Sequence, residues 1–231
     1  RDFCLSRGLG DVYKRQRLDR VPIAYILGYK EFYGRRFTVS PSVLIPRPES
    51  EDLISLFLEL TASEIAEKVL IDVGAGSGCL GITAKLERSN LSVILSDISK
   101  PALNIAEKNA DALNADVHIQ QQSLLNGQLK PVDYIFANLP YVDKNWDVSP
   151  ELQYEPDIAL FAEDEGLKLI LQLISQALRC LTSEGLLFIE ADPQQHNRII
   201  DEAVKNGFIK GSVLNYCLLY TSDAADEEDS V

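Results

Sequence analysis

The sequence predicts an α/β fold: a doubly wound, mostly parallel sheet with helices on both faces, preceded by a small hairpin and helix segment. Three observations carry this expectation. From Val69 onward, short apolar runs alternate with longer stretches of helical periodicity, the pattern of strands that cross over through helices. The run Lys68 to Val73 passes directly into Gly74-Ala-Gly-Ser-Gly78, a strand followed by a tight turn and a helix start. Crossovers of this length are almost always right-handed, so a doubly wound sheet is the economical topology.

The elements follow in chain order. Glu31 to Val39 predicts a hairpin turning at Gly34, and Pro46-Arg-Pro-Glu49 introduces a helix to about Leu60, because proline favours the first helical turn. Strands are expected near 68–73, 91–97, 116–120, 131–137, 185–191 and 207–215, and helices near 78–89, 99–114, 163–182 and 194–206. Ser99 caps the second of these helices and Pro101 sits in its first turn, a common helix-start arrangement. Between Tyr141 and Phe161 runs a stretch rich in Asp, Pro and Asn that holds the single tryptophan, Trp146. Loops of that length at strand ends usually serve as lids or binding loops.

Composition narrows the function classes. The chain has 231 residues, 46% of them hydrophobic and 25% charged, enough for one sizeable core. The segments Asp11 to Gln16 and Cys217 to Glu227 resemble translated sequencing-library adapter. Residues 1–16 and 217–231 are therefore read as non-native termini, 17–66 as a hairpin and linker remnant, and 67–216 as the main domain. Of the net charge of −13, residues 1–16 carry +2 and 217–231 carry −5, which leaves −10 on the rest. That acidity argues against stable nucleic-acid binding, which draws its affinity from Lys and Arg neutralising phosphates. No apolar run reaches the roughly 20 residues a membrane span needs, and the start lacks a secretory layout. A cytoplasmic monomer is expected. The four cysteines, Cys4, Cys79, Cys180 and Cys217, are scattered, with neither metal-ligand spacing nor a disulfide framework, so no metal is expected.

Three loops at strand ends carry the chemistry. Asp72, next to last in its strand, precedes Gly74, Ala75, Gly76, Ser77 and Gly78, where glycines let the backbone approach a ligand and the helix start offers free N–H groups. Asp97 ends the next strand, nineteen residues after Gly78, where a carboxylate can accept both ribose hydroxyls of an adenosine. These two elements fit either NAD or S-adenosylmethionine. The third, Asn138-Leu-Pro-Tyr141 at the end of strand 131–137, separates them. An amide or exocyclic amino nitrogen is a poor nucleophile because its lone pair is delocalised. The Asn138 side-chain oxygen and the Leu139 carbonyl could each accept one of its N–H groups, aiming the lone pair at a sulfonium methyl. Pro140 would stiffen that turn and Tyr141 would press against the flat substrate group.

The runs Arg20 to Gly28, Glu31 to Gly34, Val43 to Glu49, the glycine loop, Asp97, Asn138 to Tyr141, Tyr154 to Phe161 and Ile189-Glu190 together resemble the release-factor glutamine methyltransferases over roughly residues 17–215. The resemblance implies a Rossmann-like class I methyltransferase fold with S-adenosylmethionine as cofactor. It implies methylation of the glutamine amide of a Gly-Gly-Gln tripeptide in a peptide chain release factor. By position, Asp72, Gly74 to Gly78, Asp97, Leu124 and Asn138 would contact the cofactor, and Asn138, Leu139, Pro140 and Tyr141 the substrate, with Asn138, Pro140 and Tyr141 acting at the reacting centre. The sequence departs from the family at Leu139, which stands for a usual proline, and at Ser123-Leu124, where an acidic residue and often an aromatic flank the adenine. The family's N-terminal helical domain and most of its final hairpin are also expected to be missing.

Other readings share the tetrapeptide: a ribosomal-protein glutamine methyltransferase, an amino methyltransferase of nucleic-acid bases, and a non-catalytic cofactor-binding remnant. The charge disfavours the nucleic-acid enzyme, which needs a basic cleft. His118 and His196 are read as structural or exposed, Cys79 as a small residue filling space under the glycine loop, and Trp146 as capping the cleft or packing its own loop.

Overall fold

The computed structural model of the protein describes residues 19–214 and 217–221; of the segments expected to be non-native, 1–16 and the part 222–231 of 217–231 lie outside the described residues. A short helix α1 (Ile23–Leu27) leads into an antiparallel hairpin of β1 (Tyr29–Phe32) and β2 (Arg35–Thr38), followed by α2 (Ser50–Leu60). The hairpin turns at Tyr33 and Gly34, both at positive φ, the backbone twist that two-residue hairpin turns require.

The core alternates β3 (Lys68–Val73), α3 (Cys79–Glu87), β4 (Leu91–Asp97), α4 (Lys100–Leu113), β5 (Val117–Gln121) and β6 (Val132–Ala137). After the long loop, a 3-10 turn at Pro150–Tyr154 and α5 (Asp157–Leu160) precede α6 (Lys168–Cys180), β7 (Leu181–Glu190), α7 (His196–Lys205), β8 (Ile209–Leu214) and β9 (Cys217–Thr221). The seven strands lie in the order β5-β4-β3-β6-β7-β9-β8. From β5 to β7 all pairings are parallel, and β9 is antiparallel to both its neighbours. The fold class expected from the alternating pattern is the one observed.

Two expectations on element limits need correction. The helix expected over 163–182 begins only at Lys168, because Asp164, Glu165 and Gly166 all adopt positive φ, a left-handed run that no α-helix accommodates. The boundary expected at residue 216 does not coincide with the edge of the sheet, since Cys217–Thr221 pairs with β7 from Leu186 to Glu190. Its sequence explains this: Leu218, Leu219, Tyr220 and Thr221 include strand-favouring types, and β7 would otherwise present a row of unpaired backbone groups.

Two side-chain clusters cover the sheet. On one face, α6 and α7 contribute Ile170, Leu173, Ile174, Ala177, Ile199 and Ala203 against Ile71, Ile135 and Leu187. On the other, Phe32, Phe37, Leu53, Ile54 and Phe57 pack with Leu70, Tyr134, Phe136 and Phe188. Phe57 is the centre of the second cluster. Its ring stands edge-on to Tyr134, Phe136 and Phe188, with centroids 5.2, 5.1 and 5.8 Å away, the geometry aromatic quadrupoles favour. Ser50, Leu53, Ile54 and Phe57 are all buried, as the i, i+3, i+4, i+7 spacing dictates for one helix face. Docking Phe57 on β6 and β7 therefore carries Ser50, two turns earlier, to the carboxyl ends of the same strands.

The hairpin is tied to the core by polar contacts as well. Asn109 of α4 is 1% exposed, yet its carbonyl accepts from Thr38 N at 2.7 Å while its nitrogen donates to the Thr38 and Ser77 carbonyls at 3.0 and 2.9 Å. A buried amide so fully satisfied joins the hairpin, α4 and the glycine loop without a desolvation penalty. Removing the central ring tests this packing. Phe57→Ala should lower unfolding stability by about 3–5 kcal/mol, the usual cost of a large buried aromatic, as measured by urea denaturation followed by circular dichroism.

Candidate active site

Strand order reverses between β3 and β6, the switch point where open α/β sheets leave a crevice beyond their carboxyl ends. A cavity of about 270 Å3 opens there. Its wall includes Asp72, Gly74, Ala75, Gly76, Ser77, Asp97, Leu124, Asn138, Leu139 and Pro140, drawn from the ends of β3, β4, β5 and β6. A second cavity, about 550 Å3, is lined by Leu44, Arg47, Asn138, Leu139, Tyr141, Glu155 and Ala159 among others. Asn138 and Leu139 line both. The tetrapeptide thus stands at the seam between two spaces.

The glycine loop is fixed by the neighbouring strand. Gly74 and Ala75 donate their N–H groups to the Ser96 carbonyl at 2.8 and 2.9 Å, and Gly76 donates to Asp97 Oδ2 at 3.0 Å. Asp97 Oδ1 accepts from Ser99 N at 2.8 Å, so this carboxylate braces both the loop and the start of α4. Each oxygen keeps a second lone pair for a ligand. Burial is the largest influence on Asp97 and raises its pKa above the ordinary carboxylate value, against the N–H donors of Ser99, Gly76 and Ile98. Gly74 has φ of 73°, and a Cβ there would lie 2.9 Å from Leu139 Cδ2, so the buried Leu139 side chain closes over the loop.

Gly78 was expected to contact the cofactor, but it is absent from the cavity wall. It opens α3 at φ of 79°, and a Cβ there would meet Ile82 at 2.8 Å and Leu95 at 3.1 Å. Its role is close packing of helix on sheet, as for the last glycine of such loops. Asp72 is 1% exposed and accepts from Gly81 N at 2.9 Å. Burial pushes its carboxyl up to about 7, the Gly81 N–H opposing the rise and the Asp97 charge adding to it.

Asn138 follows the β6 residue Ala137, which pairs with Ile189; Asn138 and Glu190 therefore leave adjacent strand ends side by side. Asn138 Nδ2 donates to Ser50 Oγ at 3.1 Å. Glu190 is 3% exposed, and burial raises its carboxyl to about 7 while Ser50 and Asn138 lower it by hydrogen bonding. Tyr141 is held by its backbone, since buried Gln195 donates from Nε2 to the carbonyls of Tyr141 and Glu165 at 2.8 and 2.9 Å. Burial first, then Glu190, raises the Tyr141 hydroxyl well above its ordinary value, so it remains a neutral, flat surface.

Sequence reasoning assigned no role to Arg47, Ser50, Gln122 or Glu155. Arg47 borders both cavities and its guanidinium meets Glu155 at 2.5 Å. Glu155 is 5% exposed and its other oxygen accepts from Ile45 N at 3.0 Å. This buried charge, paired and hydrogen-bonded, locks the segment before α2 to the long loop. The signal was present in the Arg-Pro and Tyr-Glu-Pro runs at Arg47 and Glu155, read only as resemblance. Gln122 lines the first cavity with its buried Nε2 unpartnered, a donor available to a ligand. Leu124 lines the same cavity at φ of 49°, a backbone conformation that costs a non-glycine residue of order 1–3 kcal/mol. His118 is exposed and His196 is buried against the Ala191 carbonyl; neither lines a cavity, nor does Trp146. Cys79 does line the first cavity, not merely the space beneath the loop. Among the described residues no group of three or more His, Cys, Asp or Glu side chains could hold a metal ion.

The raised carboxyl of Asp72 has a consequence for stability. A pKa raised on folding adds stability below the unfolded value that is lost as pH climbs through the folded one. For Asp72 that window runs from about 4 to about 7. Asp72→Asn keeps an acceptor for Gly81, so its stability should fall less steeply than wild type between pH 4 and 7. Urea midpoints of the two proteins across that range check the difference.

Comparison with known proteins agrees with this geometry. The family model described as "Methyltransferase small domain" matches residues 51–153. The release factor glutamine methyltransferase of Neisseria gonorrhoeae is 39% identical over 209 residues, covering 87% of this chain and 75% of its own. That of Leptospira interrogans is 36% identical over 214 residues, with 88% and 74% covered. Among solved structures, the ribosomal protein L11 methylase of Lactobacillus delbrueckii superposes with a TM-score of 0.57 at 24% identity, covering 84% of this chain and 88% of that one. A Thermus thermophilus 16S rRNA methyltransferase in complex with AdoMet and guanosine gives 0.61 at 18%, covering 84% and 49%. At those identities the structures speak for the fold. The sequence relatives speak for the family: this chain belongs to the release factor glutamine methyltransferases.

Proposed function

We propose that the protein transfers the methyl group of S-adenosylmethionine to the side-chain amide nitrogen of glutamine in the Gly-Gly-Gln motif of peptide chain release factors. The relatives' shared name supports the substrate class. The observation that carries the reaction type is the seam at Asn138 and Leu139, where two cavities meet at a polar side chain beside a fixed backbone turn.

The residues present fit the cofactor. The first cavity joins a glycine loop that a side chain at Gly74 would obstruct, a carboxylate at Asp97 with lone pairs to spare, and an unpartnered Gln122 amide. Asp97 would take the ribose hydroxyls, Gln122 and Leu124 the adenine, and Asp72 with Ala75, Gly76 and Ser77 the amino-acid portion. When bound, S-adenosylmethionine supplies an electrophilic methyl group on a positively charged sulfur.

The protein's own contribution is orientation. Asn138 spends an amide proton on Ser50, which leaves its oxygen to accept from the substrate nitrogen. The Leu139 carbonyl takes the second N–H, so the nitrogen's lone pair is turned out of the amide plane toward the first cavity. Tyr141 and the Arg47–Glu155 pair border the second cavity, which would admit the tripeptide and shield the reacting amide from water. We assign this chemistry to residues 67–216, with 17–66 supplying α2 and the Arg47 segment. Among the described residues no helix is long and apolar enough to cross a membrane; we place the enzyme in the cytoplasm as a monomer without stable nucleic-acid partners.

The direct test is incubation with labelled cofactor and either a release factor or a ribosomal protein, followed by locating the methyl group by peptide mass spectrometry. Methylation confined to the Gly-Gly-Gln glutamine supports the proposal, and its absence there overturns it. Asn138→Ala should cut turnover by about 100-fold or more, as for other preorganised polar contacts to a reacting centre. Leu139→Pro presents the same carbonyl and should keep turnover within about tenfold, a barrier change below roughly 1.4 kcal/mol; steady-state methylation measures both.

A further inference from the structure

The polar groups beside Asn138 leave one buried acceptor unpartnered. Ser50 and Glu190 are 2% and 3% exposed, one on the first turn of α2 and the other at the end of β7. Asn138 Nδ2 donates to Ser50 Oγ at 3.1 Å, and these two side chains are the groups that favour the charged form of the Glu190 carboxylate against its burial. Glu190 Oε2 is buried without a hydrogen-bond partner, so this carboxylate has acceptor capacity to spare. Glu190 lines neither cavity. Its strand ends next to the one that carries Asn138, since Ala137 pairs with Ile189.

A primary amide can flip, exchanging its oxygen and nitrogen, and the two orientations have opposite consequences at this site. With the nitrogen outward, Asn138 would present donors to a substrate nitrogen that also carries only N–H groups. A carboxylate can only accept, so an ionised Glu190 repels the amide oxygen and draws the NH2 group. We infer that Glu190 is a positioning residue: its carboxylate, with Ser50 as relay, locks the Asn138 amide with oxygen outward, the one orientation that can accept from a glutamine amide. The inference rests on the proposed glutamine methylation. Glutamine at position 190 would bring its own NH2 group toward that of Asn138 and remove the bias between orientations. Protonation of Glu190 would act in the same direction by supplying an O–H that can donate to the flipped amide.

The groups facing this carboxylate are Ser50 and Asn138 as donors, Glu49 raising its pKa and Arg47 lowering it, with Tyr141 and Cys79 also within its field. Its value of about 7 places the change of state within reach of a pH profile. Turnover at saturating cofactor and substrate should therefore rise with pH through an acid limb near 7. Ser50→Ala, which removes a donor to the carboxylate, should move that limb to higher pH.

The deciding experiment is a double-mutant cycle on the full chain with a release factor as substrate and cofactor affinity measured separately by calorimetry. Glu190→Gln should lower kcat at least tenfold, abolish the acid limb, and leave cofactor Kd within about threefold. Added to Asn138→Ala, it should cause no further loss, because the group it positions is gone. Multiplying losses in the double variant, or a Glu190→Gln enzyme within twofold of wild-type kcat, would overturn the inference. An acid limb that persists in Glu190→Gln would assign it to Asp72 and count equally against it. Should Glu190→Gln fail to fold, the unshifted limb of Ser50→Ala would serve as the contrary result. If Asn138→Ala itself keeps full activity, it is the proposed reaction mechanism that fails instead.

Discussion

The reversal of strand order between β3 and β6 is the constraint on which the site depends. Because β4 and β5 extend the sheet one way and β7 the other, the loops after β3 and β6 diverge to opposite faces and cannot fill the space between them. Every residue proposed for cofactor or substrate lies at the rim of that space. The glycine loop enters from β3, Asp97 from β4 and Asn138 from β6. No local feature of the chain could produce such a meeting of segments more than sixty residues apart; parallel pairing of β3 with both β4 and β6 does so.

The second requirement is that the rim be stiff. Buried aromatic packing meets it on one side, through Phe57 and the rings of β6 and β7, and buried polar groups meet it on the other. Asn109 joins hairpin to glycine loop, Gln195 holds the Tyr141 carbonyl, and Glu155 clamps Arg47 and the Ile45 backbone. Each of these buried polar side chains is satisfied by partners from distant segments. Networks of that kind contribute little net stability but penalise any other arrangement of the same chain. The site is thereby preorganised before a ligand arrives, which is where catalysis by orientation must place its cost.

Glu190 departs from this rule of satisfaction, its Oε2 buried without a partner. The Asp72 and Glu190 carboxyls both lie at strand ends, and burial pushes each up to about 7 against the groups that favour its charged form. Such strain against folding is concentrated where ligands bind. Asp72 lines the first cavity, whereas Glu190 lines neither and lies at the strand end adjacent to Asn138.

Much of this molecule was determined by local sequence. Five parallel strands could be read from their runs of residues, most clearly the central β3, β4 and β6, because a central parallel strand is buried on both faces and must be largely apolar. The glycine loop, Asp97 and Asn138 to Tyr141 were legible because each joins an unusual local composition to a strand end. Tertiary structure decided the rest. Gly78 has the same local character as Gly74, yet only the approach of Ile82 and Leu95 makes it a packing residue and not a wall of the cavity. Ser50 and Gln122 carry no motif signal of their own function, and the runs that hold Arg47, Glu155 and Glu190 registered only as a resemblance, since what each residue does depends on a partner from another segment. The strand at Cys217–Thr221 was likewise decided by the free edge of β7. Patterning along a chain records which face of an element is buried; it does not record which distant polar group waits there, and that pairing exists only once the sheet has assembled.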